Sequence, residues 1–290
     1  MSTTVLDLIR SAAGLDCGAL PLSLCRLSRP YLLTRVGIDP EGAGTACLLT
    51  VPYVMAEDVD DPMRNVSLYA VPRDYHLYFN ELADTLLPAL RAAFPSHIFS
   101  LFADHSPIVE VEAAARAGLG VIGCNELLLT PMWGSFVFLA EVITDAPWEV
   151  VTGTDATAIP TTSPESCMAC GQCLRACPGG CSAGSREGCL SALTQKKGTF
   201  TPEEVAILAG HPLVWGCDTC QTVCPRNRAI IGRGVDTPIE FFRQDRIKRL
   251  DSRTLAAMDD EAFARRAYAW RGRAVIERNL HIKERTDNAT

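Results

Sequence analysis

A mixed α/β fold with a second, cysteine-rich domain behind it is what this sequence predicts, and three features predict it. Strand-like and helix-like segments alternate as far as Trp148. Between residues 152 and 164 the composition shifts abruptly to Gly, Thr, Ser, Pro and Ala, which offer little to bury and mark a linker. Beyond it, seven of the thirteen cysteines fall into two tight runs, with Cys189 isolated between them. The expected divisions are an α/β (α+β) domain over 1–151, a linker over 152–164, a cysteine-rich domain over 165–231 and a helical, basic region over 232–290.

Leu6 to Ala13 reads as a short amphipathic helix, and Thr45 to Val51 as a buried strand that Pro52 ends. An acid- and proline-rich loop follows through Pro62. From Arg73 to Phe94 the apolar positions Tyr75, Tyr78, Phe79, Leu82, Leu86, Leu87 and Leu90 recur at helical spacing, with Pro88 inside and Pro95 as the stop. Ile98 to Phe102 is a second strand, Ile108 to Ala117 an alanine-rich helix closed by Gly118, and Gly134 to Ile143 a third strand. In the cysteine-rich domain Thr201 caps a helix that Pro202 opens, with Glu203 and Glu204 at its positive end. Two or three helices are expected after Arg233.

At 290 residues and 48% hydrophobic, the chain is long enough for one sizeable core and a smaller appended domain. Residues 1–10 lack a secretory pattern and no apolar run reaches membrane-spanning length, so a soluble, cytoplasmic protein with no membrane partner is expected. The net charge of −7 argues against a generally adhesive nucleic-acid binder. It hides an asymmetry: residues 226–290 carry 15 Lys and Arg against 10 Asp and Glu, while the preceding body is acidic. Such a basic end suits a polyanion docking at one face, with Arg271 and Arg273 as candidates, and suits equally a solvated helical face.

The runs are Cys167-x2-Cys170-x2-Cys173-x3-Cys177-Pro178 and Cys217-x2-Cys220-x3-Cys224-Pro225. In ferredoxin-type runs the fourth cysteine ligates the other cluster, so two runs interlock around two 4Fe-4S centres. The second run lacks its leading cysteine, which the isolated Cys189 can supply; Cys181 competes for that place. The resulting sets are Cys167, Cys170, Cys173 and Cys224 on one cluster, and Cys177, Cys189, Cys217 and Cys220 on the other. Zinc sites favour paired Cys-x2-Cys instead, and disulfides fit neither the odd count nor a reducing compartment. Cys17, Cys25 and Cys47 sit among apolar residues as ordinary buried thiols. The five histidines are too dispersed to form a metal set.

Ahead of the clusters lie Asp104-x2-Pro107-x2-Glu110 and the glycine-rich segment Gly118-Leu119-Gly120-Val121-Ile122-Gly123. The glycines either cap and turn the preceding helix or let backbone approach a flat group. Asp104 either caps the helix from Ile108 or, partly desolvated, holds a proton near neutral pH. His105 is the alternative proton donor.

These segments, with Tyr69 to His76, Gly134-Ser135, the run Trp215-Gly216-Cys217-Asp218-x-Cys220-Gln221-x-Val223-Cys224-Pro225-x-Asn227-Arg228 and Arg278-Asn279-Leu280, resemble the epoxyqueuosine reductase family in order along most of the chain. The resemblance implies a cobalamin-dependent 4Fe-4S enzyme that reduces the epoxide of epoxyqueuosine in a tRNA anticodon loop. It implies a nitroreductase-like cobalamin domain, as in reductive dehalogenases, before a ferredoxin-like double-cluster domain. It favours Cys189 over Cys181 as ligand and makes Asp104 the catalytic acid. Arg73, Tyr75, His76, Gly118, Gly120, Gly123, Cys124 and Ser135 would line the cobalamin site, and a flavodoxin or ferredoxin would supply electrons. Three departures stand out: Cys124 where the family has lysine, a short segment between Leu15 and Thr45, and no helical repeats after Asn279. They keep two alternatives in view, an electron-transfer or corrinoid-reactivating protein and a cobalamin-dependent reductase of another small electrophile.

Overall fold

The computed structural model describes residues 3–159 and 167–287. The chain divides into two compact units, residues 1–51 with 78–168, and residues 52–77 with 169–290. The later break falls near the end of the expected linker, of which 160–164 lies outside the described residues. The first departs from the expected division, because 52–77 groups with the carboxyl-terminal part of the chain. The linker's start is also more regular than its composition suggested: Thr152 closes the helix Trp148–Thr152, and Ala156–Ala158 forms a 3-10 turn.

The first unit is built on a four-stranded sheet in the order β1-β2-β6-β3, with β1 at Cys17–Pro21, β2 at Thr45–Pro52, β3 at Phe99–Phe102 and β6 at Val137–Thr144. A separate hairpin pairs β4, Val121–Ile122, with β5, Leu128–Leu129. β1 runs antiparallel to β2 and β3 antiparallel to β6. All eight residues of β2 are buried, as expected of an inner strand covered on both faces. Alternation sends Ala46 and Leu48 to one face, where they meet Leu20, Ile143 and the alanines 113–115 of the helix Glu110–Arg116. Small side chains on that helix let it lie close to the sheet. The expected helix from Arg73 is Tyr75–Ala93 and buries Phe79, Leu82, Leu86 and Leu90, the predicted stripe.

Residues 52–77 join the second unit through buried polar bonds. Arg64 Nη1 reaches Asp218 Oδ2 at 2.7 Å, with side-chain exposures of 7% and 3%. The Leu68 N–H donates to the same oxygen at 2.9 Å, and Ser67 Oγ donates to Oδ1. Ser67 N–H pairs with Trp215 O at 2.8 Å, and Thr237 Oγ1 donates to Pro52 O at 2.6 Å. Around these bonds Val66, Val71, Trp215, Tyr268 and Ile276 form the unit's apolar core. The acidic loop of 57–62 is partly helical, Ala56–Val59, and its Asp58 is buried against Lys248 and Arg246. Past Arg233 there are four α-helices among the described residues, one more than the upper expectation.

Candidate active site and cluster segment

Asp104 occupies the turn between β3 and the helix Glu110–Arg116, exposed and at a φ of 60°, a left-handed conformation uncommon for a residue with a side chain. Its N–H donates to Glu110 Oε1 at 3.2 Å. Val109 rather than Asp104 is the residue at that helix's N-cap, and no side chain caps it. Next to the turn, Ser106 is buried; its Oγ accepts from Ile108 N–H at 3.1 Å and donates to Glu141 Oε1. Glu141 comes from the middle of β6, is 0% exposed, and its Oε2 has no hydrogen-bond partner among the described residues. A carboxyl group fully buried beside a second one, Glu110, holds a proton more readily than a charge.

The electrostatics follow that geometry. Burial, reinforced by the Asp104 charge, pushes Glu110 up to about 7 against the opposing pull of the Asp104 N–H, Glu141 and Arg29. Burial, then the Glu110 charge, holds Glu141 well above the usual carboxylate range. Beneath the Asp104 turn there is thus a carboxyl pair able to retain a proton at neutral pH. His105 shares the turn, exposed, with Nε2 3.3 Å from Tyr31 Oη. Sequence reasoning singled out Asp104 and missed Glu141, whose signal was a lone acid inside the apolar strand Phe138-Leu139-Ala140-Glu141-Val142-Ile143.

The glycine segment has more than one task. Gly118, at a φ of 83°, follows the helix Glu110–Arg116 and has open space where a side chain would project. Gly120 instead lies against β5, where a Cβ would meet Leu129 O at 2.5 Å. At Gly123 a Cβ would come within 2.3 Å of Asn125 Oδ1. Of the three, Gly118 has the form of an open backbone surface for a flat ligand; Gly120 is required by the close approach of the β5 backbone, and Gly123 is crowded by the Asn125 side chain. Cys124 follows directly, partly exposed, and Ser135 is buried after Gly134.

In the second unit, the Arg73 guanidinium stacks on the Phe241 ring 4.0 Å from its centroid, and its buried Nε has no hydrogen-bond partner among the described residues. Tyr75 stacks on His76 with centroids 4.3 Å apart, and His76 Nδ1 meets Asp74 Oδ1 at 2.8 Å.

None of the eight expected cluster cysteines is in a disulfide, and all are partly exposed. Cys167 is the penultimate residue of the first unit; the other seven belong to the second. Ala169 and Gly171, both at positive φ, coil the chain between the first three thiols. At Cys177 burial pushes the thiol up, but N–H groups of Cys181, Gly179 and Gly180 outweigh it and lower the net value. Such donors suit a cluster-bound thiolate. Cys181, pushed up to about 12 by burial and by Cys177 and Cys189, sits with both of them. The charge of Cys189 also reaches Cys217. By contrast, Cys17 and Cys25 are buried and pushed up to about 11 and about 12, and Cys47 is raised further, as inert core thiols.

Residues 166–227 match the family described as a 4Fe-4S double cluster binding domain, which assigns two clusters to this segment. An epoxyqueuosine reductase of Listeria monocytogenes serovar 1/2a is 34% identical over 217 residues, 72% of this chain and 54% of that protein. A solved epoxyqueuosine reductase carrying a tRNA-Tyr epoxyqueuosine-modified stem loop superposes with a TM-score of 0.71 at 26% identity, covering 95% of this chain and 79% of that one. The chain is a relative of the epoxyqueuosine reductases. A third comparison is the Bacillus subtilis epoxyqueuosine reductase with its catalytic aspartate loop swung out of the active site, at a TM-score of 0.70, 25% identity and the same coverages. The chain spans about half the length of the curated relatives it matches.

Several residues that carry the likeness to epoxyqueuosine reductases serve the fold. Asp218 anchors 64–68 as described, and the buried Asn279 donates from Nδ2 to Thr194 O at 2.8 Å and Val214 O at 2.9 Å. Asn227 Nδ2 donates to Gln221 O at 2.8 Å across the last cysteine run. Among the described residues no helix is long and apolar enough to cross a membrane.

Proposed function

We propose that the chain is a cobalamin- and iron-sulfur-dependent reductase of the epoxyqueuosine type, acting on the epoxide in a tRNA anticodon loop. The observation that carries it is the Asp104 turn resting on the Glu110–Glu141 carboxyl pair, in a chain that also holds a double-cluster segment. Epoxide reduction needs two electrons, which 4Fe-4S centres pass one at a time, and protons for the departing oxygen. The clusters, on Cys167, Cys170, Cys173 and Cys224 and on Cys177, Cys189, Cys217 and Cys220, fit the first need, with a low-potential flavodoxin or ferredoxin as donor. Asp104 fits the second: it is exposed at a turn and hydrogen-bonded through its backbone to a carboxyl group that keeps a proton close by.

The open backbone at Gly118 suits a corrin face, with Cys124 and Ser135 on the same unit; the Arg73, Tyr75 and His76 motif, including the bare Arg73 Nε, is assigned to the same cofactor by resemblance. When bound, cobalamin would supply the strongly reducing centre that opens the epoxide. The chain's own residues hold the substrate end in place, exclude water and place the proton at the oxygen.

Anaerobically reconstituted protein with cobalamin, a chemical reductant and an epoxyqueuosine-bearing stem loop tests the reading, with queuosine scored by mass spectrometry. Conversion is expected, with Asp104→Asn slower by about 10²–10⁴-fold and His105→Ala close to wild type. Absence of conversion, together with cluster oxidation that depends on a partner protein, would establish an electron-transfer role instead.

A further inference from the structure

Cys124 stands where the resemblance calls for a lysine, and its Sγ lies 3.5 Å from Sγ of Cys167. Both thiols are held by backbone. Gly123 N–H donates to Leu127 O at 2.8 Å and Glu126 N–H to Gly123 O at 2.9 Å, closing the turn that carries Cys124. The Cys167 N–H donates to Ile122 O at 3.1 Å, tying the first cysteine of the run two residues upstream of Cys124.

That separation has a chemical meaning. Two sulfurs bonded at about 2.3 Å to one tetrahedral metal lie roughly 3.7 Å apart. Cys124 and Cys167 are therefore spaced to address the same metal atom. Each iron of a cubane is bound by one cysteine thiolate, so two thiols at one iron compete rather than add.

We propose that Cys124 is an exchange ligand for the iron served by Cys167, occupying its outward position when Cys167 departs. The proposal rests on the double-cluster reading of residues 166–227. In the exchange one Fe–S bond forms to Cys124 as the one to Cys167 breaks, and the proton leaving the Cys124 thiol ends on the released Cys167 sulfur. No electron is transferred and the cluster keeps its charge.

The test uses the full chain, purified without oxygen, and reads iron and sulfide content and the EPR signal of the reduced protein. Wild type and Cys124→Ala are expected to hold about eight irons. Cys167→Ala is expected to keep both cubanes, with an altered EPR signal, whereas the double variant Cys124→Ala/Cys167→Ala loses half its iron. A Cys167→Ala chain that loses as much iron as the double variant overturns the proposal. Alkylation of the folded proteins by iodoacetamide gives a second reading that does not depend on yield: Cys124 is modified in wild type and protected in Cys167→Ala. Modification of Cys124 in both overturns it as well. A wild-type chain with zinc or a single cubane removes the double-cluster reading itself, and this is seen before any variant is compared.

Discussion

The main-chain N–H of Asp104 donates to Glu110 Oε1 across 3.2 Å, so the acid-bearing turn rests on a carboxyl group that is itself packed against Glu141. The charge of that carboxyl group is costly to keep.

The cost sets a pH dependence. Glu110 is raised from an ordinary 4.5 to about 7 by burial first and by Asp104 second, so between those values the folded chain binds more protons than the unfolded one. Stability therefore falls as pH rises through that window and is highest on its acid side, the reverse of a salt-bridged carboxylate. Glu110→Gln keeps an acceptor for the Asp104 N–H but cannot ionise. It should be more stable than wild type by about 1–3 kcal/mol above the window and equal to it below. Urea unfolding at two pH values measures this; equal wild-type and variant stabilities above neutrality would show that the pair carries no strain.

Much of the second unit was legible because its signals are local. Thr201 caps its helix as expected, and with Glu204 it closes a capping box, Thr201 Oγ1 accepting from Glu204 N–H, because both partners lie within one turn. The cysteine runs were legible for the same reason: ligand spacing is written along the chain. Asp58 was not, since an acid in a loop of acids gives no sign that Lys248 and Arg246 will enclose it. β1 was missed because Cys17–Pro21 is short and has no alternation, being buried at four of its five positions. Glu141 was overlooked because β6 reads as an apolar strand, and one acid there becomes informative only once Glu110 is known to face it. The grouping of 52–77 with the carboxyl-terminal half depends on pairs such as Arg64 with Asp218, far apart in sequence.

That pair yields a stability prediction. Asp218 accepts from Arg64, Ser67 and the Leu68 N–H, all buried, so removing it strands a guanidinium and two further donors. Asp218→Ala should cost about 3–5 kcal/mol. Arg64→Met with Asp218→Leu, which removes both charges, should recover part of that loss, since no buried ion is left unpaired. A double-mutant cycle by denaturant unfolding decides; additive losses would mean that the two residues do not act as a pair.

The basic carboxyl-terminal region separates into fold-bearing and solvent-facing arginines. Arg273, one of the two docking candidates, donates to Leu255 O at 2.8 Å, Met258 O at 2.7 Å and Asp259 O at 3.0 Å, tying the helix Ser252–Ala257 to the helix Arg273–Asp287. Arg271 lies over the exposed Trp270 ring at 3.7 Å. Arg249 and Arg253 are exposed. If they contact tRNA phosphates, Arg249→Ala with Arg253→Ala should lower the slope of log affinity against log salt by about 0.7–0.9 per contact, with folding unchanged. Arg273→Ala should lower the unfolding midpoint. Filter binding of a stem loop over a salt series reads the first effect; an unaltered slope removes these arginines from the docking face.

His211, one of five histidines scattered along the sequence, stands beside Cys217, a ligand in the proposed cluster assignment. Its Nδ1 accepts from Leu213 N–H at 3.2 Å, which places the ring proton on Nε2 in the neutral form. That neutral form is favoured, since burial first and the charges of Lys283 and Arg64 next lower His211 to about 4. Nε2 lies 3.2 Å from Thr219 Oγ1 and 3.8 Å from Cys217 Sγ, so its N–H points at the sulfur and hydroxyl together. A donor to a ligand sulfur stabilises the more negative, reduced cluster and raises its potential. One hydrogen bond of about 1 kcal/mol corresponds to roughly 40 mV for a one-electron couple. His211→Leu should therefore shift one cluster's midpoint negative by about that amount and leave the other in place, with both still assembled. A spectroelectrochemical titration followed by EPR resolves the two couples; an unmoved pair of midpoints would leave His211 as packing alone.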